Sequence, residues 1–254
     1  MKFALGAAIG LASLVAALSA NGAGSSLPRG FDPESLAAAS PADVWLLGTH
    51  PCASLTGWCN AIVRTKDGGR TWARVVAPAL PTQGSVPTLR FADSRNGFAF
   101  VDDLFYAAHD GGTSWRRVRL GDVFSVATSG GRAFAVTARS VDASSVSGDV
   151  WRPLAVRLTP VSVALLGHDV WVLGTRGGEK LARSDDAGNT FRVGSGPCYP
   201  GLGGQVEPAS TDVVWAVCPT GMLAGASRST DGGRSFEPVT IPRCCINALQ
   251  LVAL

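Results

Sequence analysis

The chain has 254 residues, of which 46% are hydrophobic and 16% charged, and its formal net charge is +3. So much apolar material can build a substantial core, and the composition therefore excludes a disordered polymer. The small net charge, without any run of basic residues, excludes a protein whose main partner is nucleic acid. The 31 glycines and 15 prolines favour a turn-rich, all-β protein.

Residues 1–23 are predicted to be a secretory signal peptide. Lys2 supplies a positive charge, Phe3 to Leu18 form an apolar stretch, and small or polar residues follow. The stretch is shorter than the ~20 residues of a spanning helix, so we expect cleavage rather than stable membrane insertion. The mature chain is then exported (periplasmic, cell-surface or secreted), with residues 24–35 as a linker and residues 36–254 as one domain.

An eight-residue pattern recurs along this domain: Ser/Thr-x-Asp-x-Gly-x-Thr/Ser-Trp/Phe. Copies occupy residues 65–72, 108–115, 184–191 and 229–236, and a decayed copy at 144–151 has Val146 in place of Asp. The aromatic ends are 36 to 45 residues apart. A period of this size indicates stacked supersecondary units and suits one propeller blade.

Each copy reads as a tight turn between two strands. Glycine accepts positive φ, and the Asp and Ser/Thr side chains can bond nearby amides and hold the turn closed. The terminal aromatic can wedge between sheets. We assign this structural role to Asp67, Gly69, Trp72, Asp110, Gly112, Trp115, Gly148, Trp151, Asp186, Gly188, Phe191, Asp231, Gly233 and Phe236.

This pattern resembles the Asp-box, or BNR repeat, of the sialidase-like superfamily, which belongs with WD40/YVTN/BNR-like repeat proteins. The resemblance implies an all-β fold, a β-propeller of about five four-stranded blades. It also implies that the boxes fasten turns on the face away from the usual binding surface. The second strands share the phrase Asp-Val-Trp at 43–45 and 169–171, with a longer form at 212–215. The whole repeat phrase, an aromatic-bearing second strand that ends in Gly and is followed by Thr/Ser-x-Asp-Gly-Gly-x-Thr/Ser-Trp, most resembles propellers of photosystem II assembly and stability factors, which bind partner proteins.

The second blade is the clearest. Its four strands are predicted at Leu89–Ala92, Gly97–Val101, Leu104–Ala108 and Trp115–Leu120, whereas the third blade is weak near Val141. Residues 246–254 are predicted to be an extra inner strand. Either this strand seals the ring against the first blade, or the chain is a truncated member of a larger ring.

Six cysteines in an exported protein suggest disulfides. Cys52 and Cys59 bracket a short loop and are predicted to pair, whereas the pairing among Cys198, Cys218, Cys244 and Cys245 stays open. The sequence has no Cys-x-x-Cys spacing, and its three histidines fall in different repeats. We therefore expect no metal and no cofactor.

Strand order sorts the loops onto two faces, and one face combines the turns between second and third strands with the connections between blades. Binding residues concentrate on loops held by a rigid scaffold. The candidate binding residues on this face are Asp102, Asp103, Asp122, Arg139, Arg176 and Glu179.

Two functions fit this pattern. The first is a non-catalytic scaffold that binds a protein or glycan partner. The alternative is a glycoside hydrolase of sialidase-like or xyloglucanase-like type, with Asp102 or Asp103 opposite Glu179 as the only carboxylate pair to consider. The Arg-Ile-Pro motif of sialidases is absent, and Tyr106 lies on a strand next to its turn, so no catalytic residue is assigned.

Overall fold

A computed structural model describes residues 27–53, 57–198, 203–219 and 224–240. These residues form twenty strands and no helix. The strands assemble into five four-stranded antiparallel sheets, each built from four consecutive strands in chain order. The all-β propeller of five blades predicted from the sequence is therefore confirmed, and we number the sheets as blades 1 to 5.

The strands are short and separated by tight turns. In blades 1 to 3 they are β1 Asp32–Ala38, β2 Val44–Pro51, β3 Trp58–Thr65, β4 Ala73–Val75, β5 Thr88–Phe91, β6 Gly97–Val101, β7 Leu104–Ala108, β8 Arg116–Arg117, β9 Val123–Ser129, β10 Arg132–Thr137, β11 Val141–Ser145 and β12 Arg152–Pro153. In blades 4 and 5 they are β13 Thr159–Leu166, β14 Asp169–Thr175, β15 Glu179–Ser184, β16 Arg192–Ser195, β17 Gln205–Pro208, β18 Val214–Pro219, β19 Ala224–Ser229 and β20 Glu237–Val239.

The blades pack face to face through apolar side chains. Successive residues of a strand point to opposite faces of its sheet, so one set meets the preceding blade and the other the following blade. Trp45 of blade 1 stacks on Phe91 of blade 2 with ring centroids 3.8 Å apart. Similar buried clusters join blades 2 to 3, 3 to 4 and 4 to 5.

The first strands of neighbouring blades lie side by side. Ser35 Oγ of β1 accepts the Leu89 amide of β5 at 2.9 Å, and Ser129 Oγ of β9 accepts the Gly167 amide just after β13 at 2.8 Å. Serine hydroxyls thus occupy amides that a strand edge leaves unpaired. Among the described residues, no hydrogen bond or apolar cluster joins blade 5 to blade 1, and the predicted strand 246–254 lies outside them.

In all four turns that contain the aspartate, its carboxylate accepts an amide and a hydroxyl of the residue four positions later. In the first, one carboxylate oxygen of Asp67 accepts the Thr71 amide at 2.9 Å, and the other accepts the Thr71 hydroxyl at 2.6 Å. The Thr65 hydroxyl donates to Asp67 and accepts the Gly69 amide at 2.9 Å. These bonds, above all those from Thr71, lower the pKa of Asp67 to about 2.

The remaining turns vary this pattern in instructive ways. Asp186 and Asp231 repeat it in full, whereas Asp110 binds Ser114 in the same way but has Ala108 where the others have a hydroxyl. In the decayed copy, the Ser144 hydroxyl bonds the Gly148 carbonyl at 3.2 Å. A hydroxyl-to-carbonyl bond therefore spans this turn in the absence of the carboxylate.

Candidate functional site

Five of the six candidate residues lie in loops, either in turns between second and third strands or in the connection between blades 2 and 3. Asp102 and Asp103 form the turn between β6 and β7, Asp122 precedes β9, and Arg139 and Arg176 lie in the corresponding turns of blades 3 and 4. All five are exposed. In the described ranges, no hydrogen bond or ion pair joins any two of the six side chains, and Asp103 instead pairs with Arg117 at 3.1 Å.

Glu179, the sixth candidate, is buried. It opens β15 and is only 8% exposed, and neither carboxylate oxygen has a hydrogen-bond partner in the described part of the chain. It shares a strand face with Leu181 and Arg183, and Arg183 bonds blade 5, so Glu179 faces the interface of blades 4 and 5. Burial raises the pKa of Glu179 to about 7, and the Cys198 amide, which lies near the carboxylate without meeting hydrogen-bond geometry, opposes this shift weakly.

Two disulfides lie on the same loop face. Cys52, just after β2, bonds to Cys59 in β3, and Cys198, after β16, bonds to Cys218 in β18. The second bond links the connection between blades 4 and 5 to the middle of blade 5. Cys244 and Cys245 lie outside the described residues. The described histidine, cysteine and acidic side chains form no group of three or more that could hold a metal.

A cavity of about 450 Å³ lies among the first strands of blades 2 to 5. We call it the inner cavity. Its walls are mainly β5, β9, β13 and β17, which carry Arg90, Ser125, Ser162, Glu207 and Phe124, and β6 adds Phe100. Phe124 is 58% exposed, which is unusual for a phenylalanine held within a sheet.

The inner cavity contains an electrostatic pair from distant blades. Burial lowers the pKa of Arg90, and the charge of Glu207 opposes that shift, so the two groups interact. Arg90 comes from blade 2 and Glu207 from blade 5. The cavity thus offers one cation, one anion, an exposed aromatic ring and several hydroxyls on a rigid β framework. This combination suits recognition of a polar chain with an apolar side group.

The sequence did not predict this site, because the candidate binding residues were sought in loops and not on strands. The available signal was a charged residue in an otherwise apolar first strand. Arg90 lies between Leu89 and Phe91, and Glu207 between Val206 and Pro208. Which of these side chains meet depends on the arrangement of blades, which repeat spacing does not reveal.

The sequence matches no protein-family model, and no curated protein matches it. The described residues contain no helix long and apolar enough to cross a membrane.

Solved structures match at low identity. A structure of YCF48 bound to D1 peptide has a TM-score of 0.57 and 17% identity, covering 82% of this chain and 66% of that one. YCF48 from Cyanidioschyzon merolae has a TM-score of 0.53 and 17% identity, over 84% of this chain and 86% of that chain.

A GH74 xyloglucanase from Xanthomonas campestris has a TM-score of 0.57 and 19% identity, over 82% of this chain but 38% of that enzyme. The present chain thus spans well under half of that enzyme. At these identities the likeness shows the β-propeller fold alone.

Proposed function

We propose that this chain is an exported, non-catalytic β-propeller of the Asp-box type that binds an extended segment of a partner protein in its inner cavity. The observation that carries the proposal is the inner cavity, into which three strands bring Phe124, Arg90 and Glu207. A peptide can place an apolar side chain against Phe124 and polar groups against the two charges. The likeness to a peptide-bound propeller supports this choice of ligand.

The predicted signal peptide and the two disulfides support export, because disulfides persist in oxidising compartments. The domain limits proposed are the signal at 1–23, a linker at 24–35 and the propeller at 36–254. Its first strand, β1, begins at Asp32 and so extends into the linker.

A glycoside hydrolase is the second candidate, and one observation favours it. The pKa of Glu179, about 7, suits a general acid. Such an acid must reach the glycosidic oxygen, with a second carboxylate across a cleft. Glu179 is buried in a blade interface, and Asp102 and Asp103 are exposed on blade 2. The arrangement therefore supports binding better than hydrolysis.

The test is selection of phage-displayed random peptides on the immobilised protein. We expect enriched peptides to lose affinity for Phe124→Ala and Arg90→Gln, with unchanged binding to Val150→Ala, whose side chain is exposed outside the cavity. Thermal melting of each variant checks folding. Failure to enrich any peptide, or enriched peptides that bind Phe124→Ala normally, would contradict the proposal. Turnover of fluorogenic glycosides or sialosides that Glu179→Gln abolishes would establish the hydrolase instead.

A further inference from the structure

A second cavity, of about 290 Å³, lies between the outer strands of blade 4 and the aspartate-containing turn of blade 5. Blade 4 contributes β15, β16 and the turn between them, and blade 5 contributes the turn between β19 and β20. We call this cavity the arginine cleft. Its charged lining residues are Arg183, Asp185, Arg192 and Arg234, and its other lining residues are Leu181, Val193, Gly194, Gly232 and Gly233. Three guanidiniums thus line the cleft with one carboxylate.

The cleft is open because its outer strand has a glycine where blade 1 has a valine. Gly194 pairs with Leu181 between β15 and β16, as Val75 pairs with Ile62 between β3 and β4. Val75 packs against the apolar cluster that joins blades 1 and 2. A Cβ built on Gly194 meets no atom within 4 Å. The space that a valine occupies between blades 1 and 2 is therefore left open between blades 4 and 5.

Two of the three arginines are also particular to this interface. Arg192 lies opposite Arg183 on β16, and the residue at the same place on the outer strand of blade 1 is Ala73. On the other side of the cleft, the third residue after the turn aspartate is Arg234 in blade 5 but Thr113 in blade 2. The interface between blades 4 and 5 therefore has two guanidiniums that the interface between blades 1 and 2 lacks.

The interface between blades 2 and 3 shows that these two positions can hold an oxyanion on an arginine. Arg116 there occupies the place of Arg192, and Asp149 occupies the place of Arg234. Their side chains form an ion pair across the interface, and His109 Nε2 lies 3.3 Å from the same carboxylate. Between blades 4 and 5 the chain provides a second arginine in place of that aspartate. An oxyanion that bridges the two arginines must therefore come from a ligand.

The protein's own groups satisfy these arginines only in part. Arg192 lies 3.3 Å from Asp185, but both side chains are exposed, so this ion pair contributes little and can be displaced. Within the described ranges, the Arg234 side chain bonds only the carbonyl of Asp231, at 3.5 Å. The Nε of the partly buried Arg183 has no hydrogen-bond partner among the described residues. A guanidinium has five donors, so Arg192 and Arg234 keep most of theirs available for a ligand.

We propose that the arginine cleft binds a phosphate or sulfate group, which bridges Arg192 of blade 4 and Arg234 of blade 5. Guanidiniums bind such oxyanions through pairs of parallel N–H···O bonds, and the charge of Arg183 adds to the attraction. A tetrahedral group with two negative charges has enough oxygens to meet arginines from two blades at once. The cleft lies among outer strands and turns, so its ligand is separate from that of the inner cavity.

The test is isothermal titration calorimetry of the full chain with inorganic phosphate at low ionic strength, because salt screens exposed charges. We expect one phosphate to bind per chain. Arg192→Ala and Arg234→Thr introduce the residues that blades 1 and 2 carry at these positions. Each is expected to weaken binding by about tenfold or more, because charged hydrogen bonds are lost. Arg157→Ala removes an exposed arginine of the connection before β13, so it is the matched control and should bind as the wild type does.

Gly194→Val tests the cleft itself, because it introduces the valine of blade 1 and changes no charge. The added side chain enters open space, so we expect the variant to fold with the thermal stability of the wild type and to lose phosphate binding. Thermal melting of every variant without ligand checks folding.

Titrations with sulfate and with glucose 6-phosphate identify the source of the bound group. Tighter binding of glucose 6-phosphate than of inorganic phosphate assigns the cleft to a phosphate ester, and the reverse order assigns it to a free oxyanion. The proposal is overturned if the wild type binds none of the three compounds. It is equally overturned if Gly194→Val or Arg234→Thr binds as the wild type does, or if Arg157→Ala weakens binding as much as Arg234→Thr, because diffuse surface charge then accounts for the binding.

Discussion

Two kinds of contact join the blades of this propeller. The interfaces between blades 1 and 2 and between blades 4 and 5 each use a buried tryptophan that faces a partly buried arginine across the second and third strands, a pair that we call the Trp–Arg clamp. Its indole donates to a carbonyl in a turn of the next blade, from Trp45 to Gly111 and from Trp171 to Gly232. The interfaces between blades 2 and 3 and between blades 3 and 4 use phenylalanine instead, with alanine opposite it on the third strand. The difference extends to the neighbouring turn. Glycine follows the turn aspartate where a clamp binds, whereas the equivalent residues beside the phenylalanines are Ser147 in blade 3 and Ala187 in blade 4.

The comparison shows that the repeat can be held together in two ways. A clamp depends on direction, because its donors must meet a carbonyl, whereas a phenylalanine interface depends on filled volume. Phe98 packs edge-to-face on Trp151 with centroids 5.7 Å apart, and Trp151 ends the turn that has lost its aspartate. The turn that has lost its aspartate thus lies at an interface where no indole needs to donate to a turn carbonyl.

The largest effect is expected from emptying a phenylalanine interface. Phe98 is fully buried against Phe105 and Trp151, so Phe98→Ala removes packing on both sides. We expect a loss of about 3–5 kcal/mol in the free energy of unfolding, measured by urea denaturation. Phe124→Ala removes the same atoms from an exposed site and should change stability little. A cost below about 1 kcal/mol for Phe98→Ala would show that volume does not hold this interface.

The sequence predicts the inner parts of the blades well because their strands are buried and strongly patterned. The predictions for β6 and β7 match the structure residue for residue. The outer strands are shorter than predicted, and β8 covers only Arg116–Arg117 where Trp115–Leu120 was expected. An outermost strand pairs on one side only, so residues beyond the turn lack a ladder to hold them.

Two features depend on register that the sequence does not reveal. The third strand of blade 3, Val141–Ser145, forms despite its weak pattern because β10 pairs with it along its length. In blade 5, the Gly232 amide donates to the Asp212 carbonyl, as the Gly68 amide donates to that of Ala42. Val213 therefore occupies the place of Asp43, and the resemblance of residues 212–215 to the earlier Asp-Val-Trp phrases shifts by one residue.

A smaller loss of stability is expected from removing the indole hydrogen-bond donor of a clamp. Trp171→Phe keeps an aromatic ring but removes the donor to the Gly232 carbonyl, and we expect it to cost about 1–2 kcal/mol of unfolding free energy. Trp215→Phe makes the same change where the indole bonds nothing in the described chain, and should cost less than about 0.5 kcal/mol. Both are measured by urea denaturation. Equal costs would show that the indole hydrogen bond contributes nothing to the clamp.

The smallest effect concerns the buried carboxyl at the edge of the clamped interface between blades 4 and 5. Folding raises the pKa of Glu179 from 4.5 to about 7. The contribution of this carboxyl to stability is therefore fully present below pH 4.5 and is lost as the pH rises through 7. Glu179→Gln has no charge to bury. At pH 8 we expect the free energy of unfolding of the variant to exceed that of the wild type by about 1 kcal/mol, which is the low end of the cost of a buried unpaired group. We expect this advantage to disappear at pH 4.

Urea denaturation at both pH values measures the difference, with the exposed Asp122→Asn as the control that should show none. A difference between Glu179→Gln and the wild type that does not change with pH would mean that the carboxyl finds a partner or solvent in the folded protein. The clamped interface would then carry no penalty for its buried acid.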